Sequence, residues 1–232
     1  MARLHPKAPL FKMPPPPGMI VLTDRQRDVL LKLGTQMQFE PRGTIYVRDA
    51  TADSVFAVLD GVVKTFQDLR SGKRVISAFL FPRDILGLAE RRRYVNSAQA
   101  ITKATLLRLP MEPFSTLLKR DGELQYKFLA KVTHELRESQ RRAILVNRRD
   151  AAGRVAMFLV LMRDRTTPAG ARAPLVPLPM TRTDIAAFLG LSIESVSRAI
   201  AALERRRFVA FESRAQLRIL DQAGLTELAA GT

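Results

Sequence analysis

The sequence predicts an α+β chain built as an all-β domain, one long helix, and a C-terminal unit of two short helices followed by a wing. Three observations carry this reading. Residues 35–110 are short apolar or alternating runs broken by turn residues at spacings of roughly 8–12. Residues 121–146 hold no Gly or Pro after Gly122 and repeat apolar positions at steps of three and four. Residues 181–203 place capping residues on both sides of a glycine, at the spacing of a helix-turn-helix.

Taken in order, residues 1–22 form a Pro-rich arm with Pro6, Pro9 and the run Pro14 to Pro17, read as extended backbone. Thr23 caps a short helix that runs to Gly34 with Val29, Leu30, Leu31 and Leu33 as its apolar face. Strands are expected at Ile45–Val47, Ser54–Leu59, Val62–Phe66, Val75–Phe81 and Ala104–Leu109. Asp60-Gly61 and Ser71-Gly72-Lys73 are read as hairpin turns. The β domain is thus placed at residues 23–120.

The helix 121–146 carries a seam of Leu129, Val132, Leu136, Ser139, Ala143 and Val146, flanked by Arg137, Glu138, Gln140 and Arg141. A seam of this kind predicts a parallel homodimer, while Leu124, Phe128 and Leu145 lie off it and face the β domain. The C-terminal domain is placed at residues 147–232. It begins with a linker, Asn147-Arg148-Arg149-Asp150, and an apolar helix, Ala151 to Arg163, and continues through a Pro-rich stretch, Thr166 to Pro179.

Thr181 with Asp184 makes a capping box, and Ile185, Ala186 and Leu189 point inward from the first helix of the pair. Gly190 supplies the left-handed turn, Ser192 caps the second helix, and Val196, Ile200 and Leu203 form its inner face. Two strands then follow, Phe208–Phe211 and Leu217–Leu220, as the wing.

Charge narrows the partner. The 232 residues carry 38 Lys plus Arg against 22 Asp plus Glu, a formal +16, which favours a polyanion and nucleic acid first. Hydrophobic content of 47% argues against global disorder. With no cysteine there is no disulfide, thiolate metal site or cysteine-ligated cluster. No Ser-His-Asp grouping, P-loop, GxGxxG or metal-ligand cluster is present, so an enzyme is not expected. The longest apolar run, Met157 to Met162, is six residues against the roughly 20 of a spanning helix. Since the N-terminus also lacks the apolar stretch of a signal peptide, the expectation is a cytoplasmic protein without a membrane partner.

On the second helix of the pair, Glu194, Ser197 and Arg198 are expected to read double-stranded DNA. Arg grips guanine O6 and N7, Glu accepts from cytosine N4, and Ser bonds a base edge or touches a thymine methyl. Thr181, Arg182, Ser192, Ser195, Arg205, Arg206 and Arg207 are the expected backbone contacts, which position without specifying sequence.

This order of β domain, long helix and winged helix-turn-helix resembles the CRP/FNR superfamily of bacterial transcription regulators, over about residues 23–225. Phe56 to Lys64 resembles that family's β-roll hairpin, and Asp184 to Arg198 its DNA-binding signature. The Glu194, Ser197, Arg198 triad matches the FNR and FixK branches, which implies palindromes of the type TTGAT, four bases, ATCAA. The resemblance implies a cyclic-nucleotide-binding-like β-roll, RNA polymerase as a further partner, activation as the outcome, and target genes in microaerobic or nitrogen metabolism.

Departures from the family bear on control. Where cyclic-nucleotide binders carry a phosphate-binding Arg and a ribose-binding Glu, the matching stretches here are Asn96-Ser97-Ala98 and Gly87-Leu88-Ala89. Neutral Asn does not replace an ionic phosphate contact, so no cofactor or nucleotide effector is expected. Haem would need imidazole, available only at His5 and His134, and His134 is read as a surface or core histidine. The FixK type, active without an effector, is the leading expectation. A ligand-gated sensor of the same fold is the alternative, and Asp68 to Lys73 is the loop assigned to RNA polymerase.

Overall fold

The computed structural model describes residues 22–146, 150–167 and 175–231. The Pro-rich arm, apart from Leu22, and the linker residues Asn147 to Arg149 lie outside them. The first helix, α1 (Asp24–Leu33), starts at a reciprocal capping box. The Gln26 amide donates to Thr23 Oγ1 at 3.2 Å, and the Thr23 amide donates to Gln26 Oε1 at 3.2 Å. Leu30 and Gln26 are buried, whereas Val29, expected on the apolar face, is exposed because it lies one residue off that stripe.

Ten strands follow: β1 (Thr35–Phe39), β2 (Thr44–Tyr46), β3 (Ser54–Asp60), β4 (Val63–Asp68), β5 (Arg74–Leu80), β6 (Ile85–Leu86), β7 (Ala89–Glu90), β8 (Arg93–Tyr94), β9 (Ser97–Ala100) and β10 (Ala104–Pro110). They form two four-stranded antiparallel sheets, β1-β10-β3-β6 and β2-β9-β4-β5, plus the β7-β8 ribbon. Val58, Val63, Leu80, Ala98 and Leu106 seal the interior between the sheets, and the Tyr46 ring stacks on Tyr94 at 4.0 Å. Ser71-Gly72-Lys73 is a true hairpin turn between β4 and β5. Asp60-Gly61 is not. Strands β3 and β4 belong to different sheets, so Gly61 turns the chain from one sheet to the other at φ +82°, against the Lys103 carbonyl.

Helix α2 (Met111–Arg120) was not foreseen from the sequence; Asp121 then separates it from α3 (Gly122–Val146). The Leu124 amide donates to Asp121 Oδ1 at 2.9 Å, which satisfies one free donor of the new helix. Leu124 and Phe128 pack with Phe114 over the outer face of β10, as expected of the set off the seam; the Leu145 side chain lies outside the described residues. On the seam, Leu129 and Leu136 are 61% and 59% exposed. Val132 is half-buried, Ser139 and Ala143 are exposed, and Val146 ends the helix.

Charge is buried on the inward side of α3. Lys131 Nζ donates to Asp84 Oδ1 at 2.6 Å, and Arg165, from the next helix, donates to Asp84 Oδ2 at 2.7 Å. The Phe81 amide donates to the same carboxylate at 2.9 Å, and Glu135 lies 3.1 Å from the Lys131 ammonium. The two cations hold the Asp84 carboxyl below the usual carboxylate range against the cost of its burial. Burial pushes Glu135 the other way, above that range, despite Lys131.

The C-terminal elements are α4 (Ala151–Thr166), β11 (Leu175–Pro177), α5 (Arg182–Leu189), α6 (Ile193–Arg205), β12 (Val209–Ser213), β13 (Gln216–Ile219) and α7 (Gln222–Ala230). Asp150, read as linker, is the N-cap of α4 and accepts from the Ala152 and Gly153 amides. The wing has three strands rather than two, in the order β11-β13-β12, because the Pro-rich stretch supplies β11. One apolar core joins α4, α5, α6, α7 and the wing to the outer face of β4 and β5 through Phe66, Ile76, Phe79 and Phe81. The Phe79 ring lies 5.1 Å from Phe188 and 6.1 Å from Phe158.

Candidate nucleic-acid interface

Local chemistry builds the two-helix unit. The Asp184 amide donates to Thr181 Oγ1 at 3.1 Å, and the Thr181 amide donates back to Asp184 Oδ2 at 3.1 Å. Gly190 is left-handed at φ +65°, which lets the chain reverse without a Cβ penalty. Ser192 Oγ accepts from the Ser195 amide at 3.1 Å and opens α6. The two helices cross at 101°, within the range of a helix-turn-helix. Val196, Ile200 and Leu203 of α6 and Ile185, Ala186 and Leu189 of α5 are all buried, which fixes one helix to the other.

With that face buried, Glu194, Ser197 and Arg198 stand exposed together on the first turns of α6. No ion pair within 4 Å joins Glu194 to Arg198 among the described residues, so the guanidinium is not tied to its neighbour. Its own backbone N–H and the Ser192 hydroxyl hold the Glu194 carboxyl below the usual range, with a smaller part from Arg198. The helix therefore presents one anion, one hydroxyl and one cation at the end that enters a major groove in this motif.

The residues expected to touch the backbone surround this face. Thr181 and Ser192 are exposed at the starts of the two helices, while Ser195 is half-buried and its hydroxyl accepts from Ser192 Oγ at 3.0 Å. Arg205, Arg206 and Arg207 are exposed, with Arg207 itself left-handed at φ +56°. Two aromatic residues organise this cation set. The Arg182 guanidinium lies 4.5 Å from the Phe211 ring centroid, and that of Arg206 lies 4.4 Å from Phe208. Sequence reasoning assigned both phenylalanines only to a strand. The signal was there, in two rings three positions apart directly after an arginine run.

Asp184 does more than cap. Its Oδ1 accepts from Lys64 Nζ of β4 at 2.6 Å, a pair bridging 120 positions that no local pattern announces.

The β domain carries a cavity of about 240 Å³ where its two departures from nucleotide binders meet, lined by Gly87, Leu88 and Asn96 and closed by Glu135, Ser139 and Arg165. Asn96 Oδ1 accepts from Gln67 Nε2 at 2.7 Å, and Arg165, the guanidinium on the wall, is paired with Asp84. These residues do not fit a cyclic nucleotide, since among the described residues of the lining the one cation, Arg165, is already paired with Asp84 and none faces a phosphate. Among the described residues no group of three or more His, Cys, Asp or Glu is placed to hold a metal, and no single helix is long and apolar enough to cross a membrane. The His5 residue and the side chain of His134, the two imidazoles weighed for haem, lie outside the described residues.

Comparison with known proteins agrees with this geometry. Residues 153–228 match the Crp-like helix-turn-helix domain, and residues 36–121 match the cyclic nucleotide-binding domain. The chain is 34% identical over 199 residues to the transcriptional activatory protein AadR of Rhodopseudomonas palustris, covering 86% of this chain and 83% of that one. It is 33% identical over 198 residues to the nitrogen fixation regulation protein FixK of Bradyrhizobium diazoefficiens, covering 85% and 83%. The solved structure of FixK2 from Bradyrhizobium japonicum superposes with a TM-score of 0.78 at 30% identity, over 84% of this chain and 96% of that one.

Proposed function

The chain belongs to the CRP/FNR family of transcription regulators, on its FixK-like branch, and we propose that it activates transcription as a homodimer that binds a TTGAT-N4-ATCAA-like palindrome without a small-molecule effector. The observation that carries this reading is the exposed group of Glu194, Ser197 and Arg198 on a helix whose opposite face is buried. In the groove Arg198 takes guanine O6 and N7, Glu194 accepts from cytosine N4, and Ser197 meets the adjoining thymine. Thr181, Arg182, Ser192, Ser195, Arg205, Arg206 and Arg207 hold the phosphates on either side.

The seam of Leu129, Val132, Leu136, Ser139, Ala143 and Val146 on α3 pairs two protomers. The recognition helices then lie about 34 Å apart, one duplex turn. Exposed leucines at two of those positions support the pairing, since a lone helix gains nothing by holding them in water. Independence from an effector is supported by neutral Asn96 and by the engagement of Arg165 with Asp84. Activation places the protein in the cytoplasm, beside RNA polymerase, with the turn Asp68 to Lys73 as the contact. The name of the FixK relative points to genes of nitrogen fixation as targets, and the resemblance drawn from the sequence adds microaerobic metabolism.

Fluorescence anisotropy tests the proposal. The protein is titrated with the palindrome and with a scrambled duplex at fixed near-physiological salt, with and without cyclic AMP. Palindrome binding about 10³-fold or more tighter than scrambled, unchanged by the nucleotide, is the expected result. No preference in the absence of ligand favours the alternative, a sensor that fills the 240 Å³ cavity before it binds DNA.

A further inference from the structure

The Lys64–Asp184 pair joins the β domain to the first helix of the reading unit. Lys64 lies on the outer face of β4, with Phe79 opposite it on β5, and Asp184 on the first turn of α5. Their side chains are only 11% and 12% exposed. The two oxygens of Asp184 are divided between two tasks. Oδ2 accepts from the Thr181 amide and from Thr181 Oγ1 at 2.8 Å, which caps the helix, while Oδ1 accepts from Lys64 at 2.6 Å.

A buried ion pair adds little net stability over apolar residues of the same size, because both charges lose their water. What it does add is a single allowed pose. Sliding α5 along the sheet strands an ammonium and a carboxylate away from water, whereas the rings of Phe79, Phe158 and Phe188 tolerate small shifts. Since α5 and α6 share a buried face, fixing α5 fixes the recognition helix. Glu194, Ser197, Arg198 and Thr181 stay exposed while the pair is made, so the clasp and DNA contact are compatible.

We propose that Lys64 is a positioning residue for DNA recognition: through Asp184 it holds the helix-turn-helix on the β domain in one orientation, so that two protomers present their helices to both half-sites without a ligand. The DNA part of this inference rests on the palindrome reading above; the clasp itself does not. Undocking returns position 64 to the surface, so Lys64→Glu is tolerated by the β domain while it repels Asp184. Lys64→Arg keeps the pair. Asp184→Asn keeps an acceptor for Thr181, loses the ionic clasp, and serves as the second release variant.

Two readouts are needed. The chain has no cysteine, so Glu227→Cys, exposed on α7, the helix that packs on α4, takes a single dye per protomer. Time-resolved anisotropy without DNA is expected to show only whole-particle tumbling for the parent and K64R, and a second, faster component for K64E and D184N. Binding is then compared on the full palindrome and on a single half-site. K64E is expected to lose at least about tenfold on the full site, a part of the roughly 10²–10⁴ that linkage of two sites provides, and nothing on the half-site. Decays for K64E and D184N identical to the parent overturn the clasp. Equal losses on half-site and palindrome also overturn it, because they mark a damaged reading unit rather than a misoriented one. If the parent itself does not discriminate the palindrome from scrambled DNA, the palindrome reading fails, and the anisotropy decay still decides the clasp.

Discussion

Asp84→Asn isolates the buried charge cluster where the β domain, α3 and α4 meet. Asp84 accepts from Lys131, Arg165 and the Phe81 amide at 2.6, 2.7 and 2.9 Å, and its side chain and that of Lys131 are 5% and 6% exposed. Asparagine keeps the shape and removes the charge, leaving Arg165 beside a neutral partner and Lys131 with Glu135 alone as counter-charge. Breaking one side of a buried pair costs about 3–5 kcal/mol. For a chain of this size that lowers Tm by roughly 6–20 °C. The assay is thermal unfolding followed by circular dichroism at one fixed protomer concentration, since dimerisation shifts apparent stability.

The pH dependence of that variant has a definite sign. The Asp84 carboxyl titrates lower in the folded chain than in the unfolded one, so its contribution is fully present above the usual carboxylate range and is lost as pH falls through the folded value. The gap between parent and D84N should therefore be widest near neutral pH and close in acid. A gap under about 1 kcal/mol at pH 7, or one that widens in acid, refutes the account of the cluster. Removing the charges together as D84L/K131M/E135L/R165M should cost less than D84N alone, because apolar replacement of a buried ionic group is often neutral.

Three further outcomes follow from other sites. Glu135→Gln should raise stability at neutral pH, because burial raises the folded carboxyl and its ionised form is disfavoured; the gain should vanish below the usual carboxylate range, and a constant gain across pH would contradict it. Arg198→Ala should cost about 1–3 kcal/mol on the palindrome and relax discrimination at its guanine, measured by anisotropy on base-substituted duplexes, whereas equal losses on every sequence would reassign it to the backbone. Leu129→Asp combined with Leu136→Asp should yield a folded monomer in sedimentation velocity, because both side chains are 61% and 59% exposed within the protomer, with a melting midpoint lowered by the lost dimer linkage; a persistent dimer would move the interface elsewhere.

What the sequence disclosed and what it withheld divide along contact range. Thr23, Thr181, Gly190 and Ser192 were legible as caps and turns because each acts on residues within three or four positions. The candidate DNA-facing side chains were legible for the same reason, since the inner face of α6 fixes the outer one. Helix α2 went unread although Glu112 and Pro113 stand at its start and Lys119 and Arg120 in its last turn, a readable pattern. The C-terminal α7, capped by Asp221 and closed by left-handed Gly231, is a similar omission. Strands of two residues such as β6, β7 and β8 have too few alternations to register.

Long-range pairs were beyond reach. Nothing in the sequence sets Lys131 and Glu135 apart from the other charges of α3, and only the three-dimensional fold turns them toward Asp84. Asp60-Gly61 looked like a hairpin because local chemistry specifies a sharp turn, not which sheet the next strand joins.

The core shared by the two halves of the chain has a consequence for biosynthesis. A ribosome releases residues 66–81 before residues 155–188, so Phe66, Ile76, Phe79 and Phe81 emerge on a finished sheet whose cover has not yet been translated. For that interval the nascent β domain displays a sticky aromatic face, of the kind that drives intermolecular association. Lys64 and Arg74 stand on the same face, with the Arg74 guanidinium 3.9 Å from the Phe66 ring centroid. Charges set among apolar strand residues are the arrangement that restrains such association, so the cation that pairs with Asp184 in the finished chain stands on that face before its partner is made.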